Sequence, residues 1–280
     1  MKKWSVFLLY LLATQLFAGL KPVGSINPQY DHPSLNFTSV AVSNLDNIYL
    51  LESINHELYR LDMDGKIIKR TGGLGWDHYN LNTPTDLCLD AGLNIIVADK
   101  NNNRVVRYDQ NINFLSIFPD ENKEFRLQYP KSLEMTRDGI LFILQENIPE
   151  IMKLDPDENR FYSVGMAVSK NYELINPVDI FLTKSEELLV LEKSGKILSF
   201  DRYGTAVKIY HLKIEHFIPL KVLLFHDHIF LISQEFELFE LINGNCEKHS
   251  LEWFVTDFYL RDEHLYLLTQ SGQILIYGFK

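Results

Sequence analysis

The chain has 280 residues, a formal net charge of −10, and 46% hydrophobic and 12% aromatic residues. Such a composition fills a large packed core and excludes intrinsic disorder. The acidic balance, with basic residues scattered rather than clustered, excludes nucleic acid as a partner and provides no polybasic membrane patch.

The N-terminus reads as an export signal over residues 1–18. Lys2 and Lys3 are followed by an apolar run, Trp4 to Leu12, broken only by Ser5 and Tyr10, and Ala18 offers a small residue before Gly19. The run is shorter than the ~20 residues a spanning helix needs, so cleavage is expected rather than retention as an anchor. Without a cysteine after the run, lipid attachment is not expected. Residues 19–280 are then expected to form one exported domain, periplasmic or extracellular, with no stable membrane insertion once the leader is removed.

Internal repeats organise the rest. The clearest unit runs from Thr83 to Asn111 and contains three strand-like pieces: Asp86 to Asp90, Asn94 to Ala98 and Arg104 to Tyr108. With Asp86 as an anchor, the equivalent positions are Ser39, Ser132, Asp179, Lys221 and Asp257, spaced 47, 46, 47, 42 and 36 residues apart in chain order. Repeats therefore begin near 38, 84, 130, 177, 219 and 255. Pro84, Pro130, Pro177 and Pro219 lie two residues before four anchors, and proline suits a strand entry because it cannot donate to a ladder. Beyond each anchor comes a continuous apolar run, such as Ile48-Tyr49-Leu50-Leu51 and Leu188-Leu189-Val190-Leu191. A strand apolar on both sides must be covered on both sides, as between two neighbouring blades. A third strand closes on Asp62, Asp109, Asp155 or Asp201. Outer strands are expected at Lys66–Arg70, Phe114–Phe118, Phe161–Val164, Val207–Leu212 and Lys248–Trp253.

Six units of four strands predict an all-β, six-bladed propeller with antiparallel blades. The sixth unit ends after three strands, so Pro22–Ile26 is expected to supply its fourth and cover the edge. Cys88, in the apolar Leu87-Cys88-Leu89, and Cys246, in a turn, are expected to remain unpaired thiols.

The second unit resembles an NHL repeat. The residues that carry the likeness are Gly72-Gly73-Leu74-Gly75-Trp76, Leu81-Asn82-Thr83-Pro84-Thr85-Asp86-Leu87 and Ala98-Asp99-Lys100-Asn101-Asn102-Asn103-Arg104-Val105. The other five units keep the hydrophobic skeleton but place Glu52, Gln145, Glu192, Ser233 and Thr269 near the Asp99 position. Fold resemblance thus covers nearly the whole domain, and the specific motif about one sixth of it.

Among candidate sites, Gly72-Gly73-Leu74-Gly75 lacks the Lys-Ser/Thr or helix of a phosphate loop and reads as a blade-to-blade turn. The anchors should ring one mouth of the central channel, where Asp86, Asp179 and Asp257 could hold a divalent cation through oxygen ligands. Hydrolases, lactonases and lyases that resemble this fold use such a metal, with Asn or His ligands that this ring lacks. The competing reading is that each Asp accepts hydrogen bonds from neighbouring blade amides. His226-Asp227-His228 reads as a solvated hairpin rather than a zinc site. The long connections Thr71–Thr83, Glu121–Tyr129 and Met166–Asn176 should lie on the face where inner strands begin. Their Trp76, Tyr79, Phe125, Arg126 and Tyr172 form either a contact surface or simple packing over the blades.

The expected function is that of a non-catalytic binding or scaffold protein, a monomer that recognises a protein, peptide or glycan through one face. No cofactor is expected in that case. The alternative is a metal-dependent hydrolase or lyase, with Ca²⁺ or another divalent cation at the channel mouth.

Overall fold

The computed structural model describes residues 20–31, 35–119, 126–146, 148–155, 160–164, 172–212, 217–226, 228–242, 245–249 and 253–279. The expected leader, residues 1–18, lies outside these. Among the described residues no helix is long and apolar enough to cross a membrane.

The chain begins with β1 (Leu20–Ile26) and then forms five consecutive four-stranded sheets. Blade 1 contains β2 (Phe37–Val42), β3 (Asn47–Glu52), β4 (Glu57–Asp62) and β5 (Ile67–Gly72). Blade 2 contains β6 (Pro84–Leu89), β7 (Ile95–Asp99), β8 (Arg104–Tyr108) and β9 (Phe114–Phe118). Blade 3 contains β10 (Pro130–Met135), β11 (Leu141–Gln145), β12 (Ile151–Asp155) and β13 (Arg160–Val164). Blade 4 contains β14 (Pro177–Leu182), β15 (Leu188–Glu192), β16 (Lys196–Phe200) and β17 (Ala206–His211). Blade 5 contains β18 (Pro219–Phe225), β19 (His228–Ser233), β20 (Leu238–Ile242) and β21 (Asn245–His249). The sixth sheet is β22 (Val255–Arg261), β23 (His264–Thr269) and β24 (Ile274–Phe279), with β1 as its outer strand.

That last pairing closes the ring. β1 runs antiparallel to β24 from Leu20 opposite Phe279 to Ile26 opposite Ile274, with an irregularity between Pro22 and Gly24. It extends two residues further toward the N-terminus than the predicted Pro22–Ile26. The prediction for blade 5 needs a larger correction. Its outer strand is Asn245–His249 rather than Lys248–Trp253, because the connection from β20 is short. Cys246 therefore sits in a strand and is exposed, not in a turn. Both it and the buried Cys88 are free thiols.

The second strand of each blade explains its unbroken apolar run. In β3, Ile48 and Leu50 pack toward blade 6, while Tyr49 and Leu51 pack toward blade 2. In β7, Ile95 and Val97 face blade 1 and Ile96 and Ala98 face blade 3. The core is thus divided into six inter-blade clusters, each shared by two adjacent sheets. Burial of one such Leu or Ile stabilises by about 1.5–3 kcal/mol, so a blade is held mainly by its neighbours.

Every inner strand carries a bulge at the same place, just before the anchor. The register slips between Phe37 and Ser39, Pro84 and Asp86, and Pro130 and Ser132. It does so again between Pro177 and Asp179, Pro219 and Lys221, and Val255 and Asp257. A bulge re-aims the side chains beside it, and here it sets the geometry of the channel.

Candidate functional site at the channel ring and entry-face funnel

The six anchors meet on the axis. Ser39 Oγ donates to Asp86 Oδ1 at 2.9 Å, and Ser132 Oγ lies 3.0 Å from Asp86 Oδ2 and 2.9 Å from Asp179 Oδ1. Lys221 Nζ reaches to the centre, 3.2 Å from Asp86, 3.5 Å from Asp257 and 3.8 Å from Asp179. Backbone amides one residue past the anchors complete the ring. Leu133 N–H donates to Asp86 at 2.9 Å, Val222 N–H to Asp179 at 2.9 Å, and Val40 N–H to Asp257 at 2.8 Å. The last of these joins blade 6 to blade 1 and repeats at the axis the closure that β1 makes at the rim.

This is the hydrogen-bonded alternative of the two readings of the ring. The place a divalent cation would occupy is taken by the chain's own ammonium, and the ring contains neither Asn nor His. Among the described residues no group of three or more His, Cys, Asp or Glu side chains is arranged to hold a metal ion. Burial opposes the charge on Lys221, but Asp257, Asp86 and Asp179 outweigh it and hold the ammonium well above its ordinary pKa.

Three carboxylates against one ammonium leave the ring with excess negative charge. Desolvation raises Asp179 to about 6, with Lys221 opposing, and Asp257 likewise to about 6. The hydrogen bonding agrees for Asp179. The Ser132 hydroxyl has one proton and two carboxylate contacts, so its second contact is complete only when a carboxyl carries a proton. Carboxyls with raised pKa bind protons more tightly when folded, so their destabilising effect is fully present above about pH 6 and is relieved as pH falls toward 4. The melting temperature is therefore expected to rise between pH 7.5 and pH 5, by about 5 °C. Asp179→Asn should flatten that slope, and an unchanged slope would contradict the assignment.

The ring divides the axis into two cavities. On the face where inner strands begin, the entry face, a funnel of about 310 Å³ is lined by the bulge residues Thr38, Thr85, Lys131, Val178, Leu220 and Thr256. Asp179, Ser132 and Lys221 lie at its base. On the exit side, a cavity of about 250 Å³ lies among Asp86, Glu134, Cys88 and Tyr259. Burial, then Asp86, push the Glu134 carboxyl well above its usual range. The bulge residues were missed in the sequence, although the prolines two residues before four anchors mark where the register slips.

The NHL signature fastens a loop. Asp99 Oδ1 accepts the Asn82 N–H at 2.6 Å, and Asp99 Oδ2 accepts from Arg104 Nε at 2.6 Å and Asn102 Nδ2 at 2.8 Å. The Arg104 guanidinium then donates to the carbonyls of Trp76, Asp77 and Asn80. Gly72 adopts φ 120°, and a Cβ there would meet the His56 carbonyl oxygen at 2.4 Å. The Gly-rich segment is thus a clamped blade-to-blade turn. Three apparently eroded positions retain the acceptor role. Glu52 takes the N–H groups of Asn36, Ile54 and Asn55, Gln145 that of Gln128, and Glu192 those of Ile175 and Asn176. Ser233 and Thr269 accept from their own hairpins.

The predicted loop residues sit on three separate blade-to-blade connections. Trp76 and Tyr79 are 81% and 67% exposed, on a connection whose His78 stacks on Phe114 at 4.9 Å, with Tyr79 edge-on to the same ring at 6.3 Å. Tyr172 is half-buried, edge-on to Phe200 at 6.4 Å in the core between blades 3 and 4. Arg126 is exposed, and Phe125 lies outside the described residues. The His226–His228 hairpin splits. His226 is exposed, 3.6 Å from Glu263, whereas His228 Nδ1 lies 2.5 Å from the buried Glu240, which His249 Nε2 also meets at 3.0 Å. Asp227 lies outside the described residues.

The fold and this repeat together define an NHL-repeat-like six-bladed β-propeller: residues 81–108 match the NHL repeat family. No curated protein sequence matches this chain. Among solved structures it is similar to streptogramin B lyase at 12% identity, covering 96% of this chain and 99% of that one, with a TM-score of 0.67. It is also similar to virginiamycin B lyase from Staphylococcus aureus at 11% identity, covering 93% and 100%, with a TM-score of 0.65. YCF48 bound to D1 peptide shares 12% identity over 91% of this chain and 81% of that one, with a TM-score of 0.60. At such identities the likeness is one of fold.

Proposed function

We propose that this protein is an exported, non-catalytic binding or scaffold propeller that engages a protein, peptide or glycan through its entry face. The observation that carries this reading is the distribution of exposed large hydrophobics among the described residues. Ile54, Tyr129, Ile175, Ile218, Trp253 and Phe254 all stand on entry-face hairpins or connections, whereas the exit-face turns present Leu45 and Tyr203. Apolar side chains collected on one loop face of a rigid scaffold are what a contact surface requires. YCF48, a similar fold, is solved with a bound peptide, so the scaffold is suited to such a partner. The lyase alternative is disfavoured because Lys221 fills the carboxylate ring.

The test is affinity capture from an envelope or secreted fraction, comparing the wild-type chain with Ile175→Ser/Phe254→Ser and with Leu45→Ser/Tyr203→Ser. A specific partner held by the wild type and the exit-face variant, but lost tenfold or more by the entry-face variant, is expected. Equal capture by all three removes the entry face from consideration. A rise in melting temperature of the wild type on adding Ca²⁺ would revive the metal-dependent alternative.

A further inference from the structure

The entry-face funnel is lined by both polar and apolar side chains. Blades 1 to 3 line it with Asn36, threonine hydroxyls and Lys131, and blades 4 to 6 line it with Val178, Leu220 and Phe236 beside Asp179, Lys221 and Thr256. Its charges are unequally satisfied. Lys100 is paired with Glu146 at 2.6 Å, and Lys221 with the carboxylates of the ring. Lys131 is half-buried, it feels Asp179 and Glu146 at a distance, and among the described residues no carboxylate lies within ion-pair range of its ammonium. Also in the funnel lining, the buried Thr38 hydroxyl has no hydrogen-bond partner among the described residues. A half-buried cation and a buried hydroxyl in that state are costly until a ligand completes them.

The charged residues lining the two sides also differ. The funnel lining carries three lysines against Asp179 and Glu146, in a chain of net −10. The exit-side cavity has five acidic side chains against Arg137, Lys184 and Lys221. With Lys100 held by Glu146 and Lys221 by the ring carboxylates, Lys131 is the lining ammonium left to meet an anion among the described residues. At the apolar lip, Phe254 is 62% exposed and stands edge-on to Phe236 at 6.1 Å.

We infer that the funnel captures the C-terminal carboxylate of a peptide whose last residue is apolar. The carboxylate faces Lys131 and Thr38, and the terminal side chain lies on Leu220 and Phe236. This rests on the entry face being the binding surface, and it names the ligand class. A chain end suits a blind funnel of about 310 Å³ because it brings in one backbone strand, whereas an internal acidic residue brings two. The preceding residues then lie across the lip at Phe254.

The experiment is fluorescence polarisation with fluorescein-labelled Gly-Ser-Gly-Ser-Gly-Phe as free acid and as C-terminal amide, beside a free acid ending in Ser. The Phe acid is expected to bind at least tenfold tighter than either control. Lys131→Met should abolish the acid–amide difference, Lys131→Arg should preserve it, and Phe236→Ala should abolish the Phe–Ser difference. Circular dichroism melts would show that each variant is folded. Equal binding of acid and amide, or no binding by any peptide, overturns the inference. So does N-acetylphenylalanine competing as tightly as the peptide, since the ligand would then be a small acid. If no peptide binds while partner capture still depends on Ile175 and Phe254, this inference fails and the binding reading stands. If capture fails as well, both fall.

Discussion

Replacing Lys221 by methionine is expected to lower stability at pH 7.5 by about 3–5 kcal/mol, since it removes one partner of a buried ionic network and leaves the other charges uncompensated. The side chain is of similar length and fits the channel, so the effect reports charge rather than volume. Three carboxylates would remain, Asp86, Asp179 and Asp257, each now without the ammonium that stands 3.2–3.8 Å away in the wild type. For a domain of this size the melting temperature should fall by about 10 °C. The loss should shrink as the pH is lowered toward 5, because the orphaned carboxyls can then be protonated. Lys221→Ala should expose the same ring to solvent and make the melting temperature respond to Ca²⁺, which the wild type should not. A Lys221→Met variant as stable as the wild type at pH 7.5 would show that the ammonium is not what balances the ring.

Deleting residues 20–26 is expected to be as damaging. The deletion removes β1, whose Leu20 and Ile26 are 3% and 6% exposed and belong to two different inter-blade clusters. Loss of these two burials alone is worth about 3–6 kcal/mol. It also uncovers β24, whose unpaired backbone groups then invite another chain. A melting temperature lower by 10 °C or more is expected, together with concentration-dependent association by light scattering. The synthetic peptide Leu-Lys-Pro-Val-Gly-Ser-Ile, added in excess, should restore part of the melting temperature by reoccupying the edge. If the truncated chain melts as the full one does, the N-terminal strand does not close the ring. The aromatic contacts just after β1 should survive the deletion. Tyr30 packs on Phe37 at 4.7 Å and donates to the Gly272 carbonyl at 3.0 Å, so they fix the path of residues 27–31 independently.

How much of the site could be read beforehand depended on the range of the interactions. The six anchor positions were legible, since each has a proline or a strand entry before it and an apolar run after it. Their grouping on the axis followed from the repeat. Which reading of the ring applied was not legible. Lys221 among the anchors looks like an exception to an acidic pattern, and only its approach to carboxylates from blades 2, 4 and 6 in the folded chain shows it as their counter-ion. The bulges were equally hidden, because a register slip changes no residue type. Glu52, Gln145 and Glu192 looked like erosion of the NHL motif by residue identity. In structure they preserve what Asp99 does, since a carboxylate or an amide oxygen accepts a loop N–H equally well. Trp76 and Tyr79 are exposed while Tyr172 is half-buried against Phe200, a difference that spacing along the chain does not report.

What the sequence by itself determined is the architecture: six strand-built repeats and the two-sided burial of each second strand, while the closing of the last blade by the N-terminal strand was an expectation that the pairing of β1 with β24 bears out. Those features depend on local alternation, continuous apolar runs and turn residues, all of which are short-range. The tertiary structure alone decided the chemistry of the axis. The plugged carboxylate ring, the funnel above it and Lys131 within it arise where strands whose anchors lie 36 or more residues apart converge. Each bulge aims one side chain from each blade at that point, so their mutual distances, not their identities, set what the site can do.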